Sequence, residues 1–165
     1  MNWFFITLGY SGLSPKAPGT VGTLVSLPLG MLILIYFGAE TLFLATLLVT
    51  AIAIKEINRY EKKSNIHDNK RIVIDELVGM WFALSVAPAI SINIDEISNF
   101  ENGFLIQSVL SFFLFRYFDI TKPSIIGRID REAKGGVGVM GDDIVAGFAA
   151  GILSAIIWQG LLIIV

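Results

Sequence analysis

The sequence contains no cysteine among its 165 residues and only one histidine. The lack of thiols excludes disulfides, thiolate nucleophiles and zinc–thiolate sites. Charged residues are also scarce, at 16% of the chain, whereas a soluble domain carries about a quarter. With a net charge of -2, the chain lacks the basic excess that holds nucleic acid through its phosphates, so nucleic acid is excluded as a partner.

Apolar residues, in contrast, make up 55% of the sequence and are concentrated in uncharged stretches. These stretches cover residues 17–39, 41–54, 77–94, 102–115 and 144–165. A membrane-spanning helix needs roughly 20 residues, and the shorter stretches can lengthen because basic side chains near helix ends reach the headgroups. The sequence shows no period of two, which favours helices over membrane strands. We expect an all-α fold, a polytopic integral membrane bundle of about five transmembrane helices in one domain over residues 1–165.

The positions of the basic residues support five crossings. All twelve Lys and Arg residues fall at Lys16, within 55–71 or within 116–134, while the connections near Glu40 and over 95–101 carry only acids. Five crossings place every basic residue on one side, which the positive-inside tendency identifies as the cytoplasm. The apolar N-terminal segment before Gly9 is too short to span a bilayer, so we expect it to be interfacial or re-entrant.

A loop rich in glycine and proline precedes the first long apolar stretch, with the sequence SGLSPKAPGTVGT. Proline interrupts helices, and glycine lets the backbone approach a ligand closely. The loop could present N–H groups to phosphate, although no GKS or GKT of a P-loop follows. The alternative is an ordinary loop before a helix capped by Thr20.

Two adjacent acids, Asp75 and Glu76, open an otherwise apolar helix within RIVIDELVGMW. Acids in a first turn are often only favourable partners of the helix dipole. The apolar run before this pair places it at or below the membrane surface, where a carboxylate usually needs a cation or another partner.

A polar segment, FRYFDITKPSIIGRIDREAKGG, follows the fourth apolar stretch. Asp119 is predicted to end the fourth helix, and Lys122 with Pro123 to start a short interfacial helix. Asp130 and Arg131 lie on that short helix.

Glycine-rich turns then deliver Asp142 and Asp143 to the start of the last helix, where Gly147 and Gly151 form a GxxxG packing face. Carboxylates next to Lys and Arg suit magnesium together with a phosphate ligand. The alternative is a capped helix after a charged loop. The single histidine, His67, is interpreted as a solvated loop residue, which leaves any chemistry to the carboxylates.

Taken together, these motifs resemble the phosphatidylglycerophosphatase A family. The resemblance runs from about residue 7 to the C terminus and rests on GLSP, PGTVG, HD, IDELVGMW, FDITKP and GGVGVMGDDIVAG. It implies hydrolysis of phosphatidylglycerophosphate to phosphatidylglycerol and phosphate, a requirement for Mg2+, and a site on the cytoplasmic face of a bacterial inner membrane. The phospholipid substrate and the bilayer are then the partners, and the oligomeric state stays open.

The resemblance also nominates site residues. The expected metal ligands are Asp75, Glu76, Asp119, Asp142 and Asp143. The expected catalytic residues are Asp75, Asp119, Lys122, Asp142 and Asp143. The expected substrate-binding residues are Thr20, Arg116, Lys122, Asp130 and Arg131. Ile125 departs from the family pattern, which usually has proline there, and Lys16 and Arg128 are left outside the site.

Two rival functions are weaker. A CDP-alcohol transferase is also membranous and magnesium-dependent, but its DxxDGxxARx8GxxxDxxxD pattern is absent. A cation transporter would use intramembrane acids as a pathway, whereas the acids here cluster at helix ends on one side. If the third, fourth and fifth membrane helices are neighbours, those acids converge on one magnesium site.

Overall fold

The computed structural model describes residues 2–67, 69–87 and 103–164, and every regular element within these ranges is helical. In chain order the elements are α1 (Trp3–Ile6), a 3-10 turn (Ser11–Leu13), α2 (Pro18–Ser64), α3 (Ile74–Val86), α4 (Phe104–Thr121), α5 (Ile125–Glu132) and α6 (Gly135–Ile164). The far end of the third predicted stretch, the acidic connection over 95–101, and Asp68 lie outside the described residues.

Helices α3 and α6 run parallel at the centre of the bundle and touch through small residues. A methyl group added to Gly147 would run into the backbone of Gly79, and one added to Gly151 would meet the backbone of Ala83. The predicted GxxxG face therefore packs within this chain. We call the end of the bundle where α3 and α6 begin the site end.

Helix α4 runs antiparallel to α6 and ends at the site end. Near its beginning, the backbone carbonyl of Gln107 accepts a hydrogen bond from the Ser154 hydroxyl at 3.2 Å, far along α6. Near its end, the fully buried ring of Phe115 fills the space beside Gly79. This direction carries the last turn of α4 to the beginnings of α3 and α6.

Helix α2 reverses at Gly38, where φ is 81° and ψ is 171°, a backbone conformation that favours glycine. Gly19, in its first turn, packs against Glu76 at the start of α3. Asn58, near its last turns, accepts a hydrogen bond from the backbone N–H of Gly136 at the start of α6, at 2.8 Å. Both ends of α2 therefore lie at the site end, and its two halves are antiparallel.

Two hydrogen bonds hold the N-terminal segment at the site end. The backbone N–H of Asn2 donates to the Glu56 carboxylate at 2.9 Å, and the carbonyl of Ile6 accepts from the N–H of Val73 at 3.0 Å. Ile6 is completely buried. An interfacial or re-entrant position of this segment stays a prediction.

Among the described residues, three helices are long and apolar enough to cross a membrane by length and composition: α2, α4 and α6 over Gly135–Ile163. The count of five crossings is not confirmed by this criterion. Helix α3 has 13 described residues, and α2 is one element with a reversal.

Helix α6 begins earlier than predicted, which corrects the expected glycine turns. It starts at Gly135, so Asp142 and Asp143 lie about two turns inside the helix rather than at its start. The glycines are needed for packing, because a methyl group on Gly136 would run into the backbone of Ile54 in α2. Gly136 therefore serves close approach between helices, whereas Gly135, with φ 68°, has the left-handed backbone conformation of a turn.

The start of α5 was also predicted wrongly, and the alternative that made Thr20 an N-cap does not hold. Helix α2 starts at Pro18, a favoured first helical residue, so Thr20 is not its N-cap. Helix α5 starts at Ile125 rather than at Lys122 and Pro123, since Lys122 ends α4 in a left-handed conformation with φ 44°.

Candidate active site

A polar cleft of about 270 Å³ opens at the site end and collects most of the predicted residues. Helix α3 contributes acids from its first turn, α6 from about two turns inside the helix and α4 from its last turn, and α5 closes one side. The predicted residues that line it are Asp75, Glu76, Arg116, Asp119, Lys122, Asp130, Asp142 and Asp143. Residues separated by up to 68 positions in sequence are thus brought into one cavity.

Three carboxylates converge inside this cleft, and we call Asp75, Glu76 and Asp143 the carboxylate cluster. One oxygen from each lies within 4.8 Å of the others. Within the described part of the chain, Glu76 Oε2 is buried without a hydrogen-bond partner. Gly19 packs so closely on this carboxylate that a methyl group there would overlap it.

The carboxylate cluster has the chemistry of a divalent-cation site. Three adjacent negative charges repel one another in a partly dry environment, and a cation relieves the repulsion. Carboxylate oxygens are the ligands that Mg2+ prefers, and an unpartnered buried oxygen is a free ligand position. The residues present therefore fit a magnesium ion.

Arg116 lies between the carboxylate cluster and Asp119. Its guanidinium hydrogen-bonds Asp119 directly and lies 3.5 Å from Glu76 Oε1. It also donates to the hydroxyls of Thr20 at 3.2 Å and Thr23 at 3.3 Å. Asp119 is paired with Arg116, its expected role as a metal ligand stays a prediction, and Thr20 contacts that same arginine.

Lys122 forms the second ion-paired group of the cleft. Its ammonium donates to Asp142 at 2.7 Å and to Asp130. Burial would lower the pKa of Lys122, but its hydrogen bonds to Asp130 and Asp142 outweigh this and raise the pKa above its ordinary value. The ammonium therefore stays charged at neutral pH. Asp142, expected to be a metal ligand, is here a partner of lysine.

Two predicted site residues do not line the cleft: Thr20, which contacts Arg116, and Arg131. Arg131 is exposed and lines a neighbouring cavity of about 550 Å³ together with Glu61 and Lys134. His67 and Asp130 line both cavities. The two cavities are thus adjacent, and Arg131 stands beside the second.

Comparison with known proteins decides the family. A family model described as phosphatidylglycerophosphatase A matches residues 4–158. The chain belongs to the phosphatidylglycerophosphatase A family. It is therefore an enzyme, a phosphoric monoester hydrolase, associated with membranes through its apolar helices.

Individual relatives match this chain over most of its length. The Escherichia coli phosphatidylglycerophosphatase A is 35% identical over 92% of this chain and 81% of that protein. The Haemophilus influenzae phosphatidylglycerophosphatase A is 33% identical over 85% of the chain and 78% of that protein. A Bacteroides thetaiotaomicron protein with the provisional name phosphatidylinositol-3-phosphatase is 35% identical over 88% of the chain and 86% of that protein. No solved structure shows a significant match.

Sequence reasoning left two ionisable residues that line the cleft out of the predicted site. His67 and Lys70 line the cleft, from the loop between α2 and α3. The solvated interpretation of His67 was incomplete: its side chain is 55% exposed, but Nδ1 lies 2.6 Å from Glu61 Oε1. The HD pair in the family signature was the available signal. The exclusion of Arg128 agrees with its exposed pair with Glu132.

Proposed function

We propose that the chain hydrolyses the terminal phosphate of phosphatidylglycerophosphate, yielding phosphatidylglycerol and inorganic phosphate, with Mg2+ as cofactor. The family membership supports the reaction class, and relatives carry the name of this activity. The observation that carries the proposal is the carboxylate cluster beside two basic groups, Arg116 and Lys122, at one end of an apolar bundle. Such a site combines cation ligands with phosphate ligands.

We further propose that the bundle crosses the bilayer five times. The two halves of α2 would be separate crossings, because both of its ends lie at the site end. The basic residues then stand on the side of the cleft, which the positive-inside tendency identifies as the cytoplasm of a bacterial inner membrane. A phosphate headgroup would meet the cleft at the membrane surface.

The residues of the cleft would have different roles in the reaction. The carboxylate cluster would hold Mg2+, which when bound supplies a Lewis acid for the phosphoryl oxygens and the attacking water. Arg116 and Lys122 would bind the non-bridging phosphate oxygens, and both are held by carboxylates before substrate arrives. Because the charges are preorganised in a partly dry cleft, they stabilise developing negative charge more than they would in water.

The deciding experiment measures phosphate release by the purified full-length protein in mixed micelles. We expect release from phosphatidylglycerophosphate with Mg2+ and its loss on chelation. Phosphatidic acid and phosphatidylinositol 3-phosphate serve as parallel substrates, because one relative is named for the latter. Preference for the inositol lipid would redirect the substrate assignment, and release unaffected by chelation would refute the magnesium site.

A further inference from the structure

Hydrolysis of a glycerol phosphate ester needs a proton for the leaving oxygen. An alkoxide is a poor leaving group, and a positioned general acid commonly contributes about 10²- to 10⁴-fold to such a step. The question of which residue supplies this proton rests on the proposed function, since it presupposes a glycerol leaving group.

Most ionisable groups of the cleft already have a proposed role as a cation ligand or an ion-pair partner. The carboxylate cluster provides cation ligands, Asp119 is paired with Arg116, and Lys122 is paired with Asp130 and Asp142. Among the lining residues that the structure describes, two ionisable groups are left, His67 and Lys70. An ammonium is a much weaker acid than an imidazolium and is poorly matched to proton transfer near neutral pH.

His67 has the geometry of an oriented acid. Its Nδ1 lies 2.6 Å from Glu61 Oε1, and Glu61 is anchored in the last turn of α2 with a side chain only 16% exposed. Within the described residues, Nε2 makes no hydrogen bond and is available to a ligand. A carboxylate that holds one imidazole nitrogen fixes which nitrogen faces the reaction.

The surroundings of His67 allow a proton to be replenished. It lines the cleft and also the adjacent 550 Å³ cavity, and its side chain is 55% exposed, so it can exchange a proton with solvent. The charged groups that share these walls come from α2, the loop before α3, α5 and the segment before α6. They are Glu61, Lys70, Asp130, Arg131 and Lys134.

We propose that His67 is the general acid of the reaction and that Glu61 is its positioning residue. As water forms the new bond to phosphorus, the bond from phosphorus to the glycerol oxygen breaks and its electron pair remains on that oxygen. The imidazolium proton passes from Nε2 to the oxygen. The water gives up one proton, which returns the imidazole to its protonated form. The products are an alcohol and inorganic phosphate.

The test replaces His67→Asn and measures kcat for phosphatidylglycerophosphate across a pH series. We expect a loss of about a hundredfold at neutral pH. Wild-type kcat should fall on the alkaline side as the imidazolium is lost, and this alkaline fall should be absent from the variant. KM should change by less than about threefold, because an acid that acts on the leaving oxygen contributes little to ground-state binding.

Glu61→Gln keeps the size of the side chain and removes its charge. We expect a loss of kcat of about threefold to tenfold with KM unchanged, since the imidazole keeps a hydrogen-bond partner. The control is Ile66→Ala, an exposed neighbour in the same loop that does not line the cleft, which should leave kcat at the wild-type value.

The outcomes separate the two proposals. Wild-type protein that releases no phosphate from any lipid phosphate monoester would overturn the proposed function, and the general-acid role with it. Active wild-type protein alongside a His67→Asn variant that keeps at least a third of kcat would overturn only the role of His67. A slowed variant that retains the wild-type pH profile would also overturn it, because a purely structural loss leaves the profile unchanged.

Discussion

The two sides of the cleft differ in whether their carboxylates have basic partners. Asp75 and Asp143 have no basic partner among the described residues, and Glu76 has only Arg116 at 3.5 Å. On the other side, Asp119 contacts Arg116, and Asp142 contacts Lys122 at 2.7 Å. On our proposal the unpaired side takes up a cation from solution, whereas the paired side, whose carboxylates already have basic partners, presents Arg116 and Lys122 to phosphate. If this proposal is right, metal binding and phosphate binding are separable functions of one cleft.

The largest effect should come from the unpaired side. Asp75→Asn combined with Asp143→Asn keeps the size of both side chains and removes two of three charges. We expect activity to fall by at least about a hundredfold, because the cation loses its ligands. The rise in melting temperature that Mg2+ produces in the wild-type protein should also disappear. Normal activity and an unchanged Mg2+ response in this variant would abolish the distinction between the two sides.

Lys122→Ala tests the paired side and should have the next largest effect. We expect a loss of about tenfold to a hundredfold, equivalent to about 1.4 to 2.7 kcal/mol of transition-state stabilisation. Mg2+ should still raise the melting temperature, since the carboxylate cluster is intact. The matched control is Lys63→Ala, a solvent-exposed lysine of α2 outside the cleft, which should retain wild-type turnover.

Asp142→Asn compared with Asp143→Asn sharpens the contrast between adjacent residues. Asp142 holds Lys122, while Asp143 belongs to the carboxylate cluster. We expect Asp142→Asn to lose about tenfold in kcat/KM, because the amide still accepts a hydrogen bond from the ammonium, and to keep the Mg2+-induced rise in melting temperature. Asp143→Asn should weaken that rise. Identical thermal responses of the two variants would show that both residues bind the metal.

The smallest effect is expected at Arg131, which stands outside the cleft. Arg131→Ala should change kcat/KM by less than about threefold, as an exposed charge that does not reach the reacting phosphate contributes little. Arg128→Ala on the same helix is the control, because it removes the same charge from an exposed position outside both cavities. A loss of more than tenfold specific to Arg131→Ala would move the substrate site toward the second cavity.

Much of the fold could be predicted from the sequence. Long uncharged stretches have few stable arrangements other than membrane helices, and the one-sided basic residues fixed how their ends align. The convergence of Asp75, Glu76 and Asp143 was expected from that alignment, because acids at equal depth on neighbouring helices meet when they face one another. The apolar stretches therefore predicted where the site lies, because they indicate which helix ends lie together.

The partners of individual side chains could not be predicted. Nothing in the spacing indicates that Asp142 faces Lys122 while its neighbour Asp143 faces α3, because this depends on the rotation of α6 about its axis. The starting point of α6 was missed because glycine promotes turns in isolation but permits close packing beside another helix. His67 was missed because a loop position alone does not show that Glu61 is within hydrogen-bond distance.

Direct titration with Mn2+, followed by its electron paramagnetic resonance signal, tests most directly whether the carboxylate cluster is the cation site. Mn2+ prefers the same oxygen ligands as Mg2+. We predict saturable binding to wild-type protein, competition by Mg2+, and retained binding in Lys122→Ala. Glu76→Gln should weaken the binding at least about tenfold, since Glu76 carries the unpartnered oxygen. Equal Mn2+ affinity in the wild-type and Glu76→Gln proteins would contradict the assignment of the carboxylate cluster as the metal site.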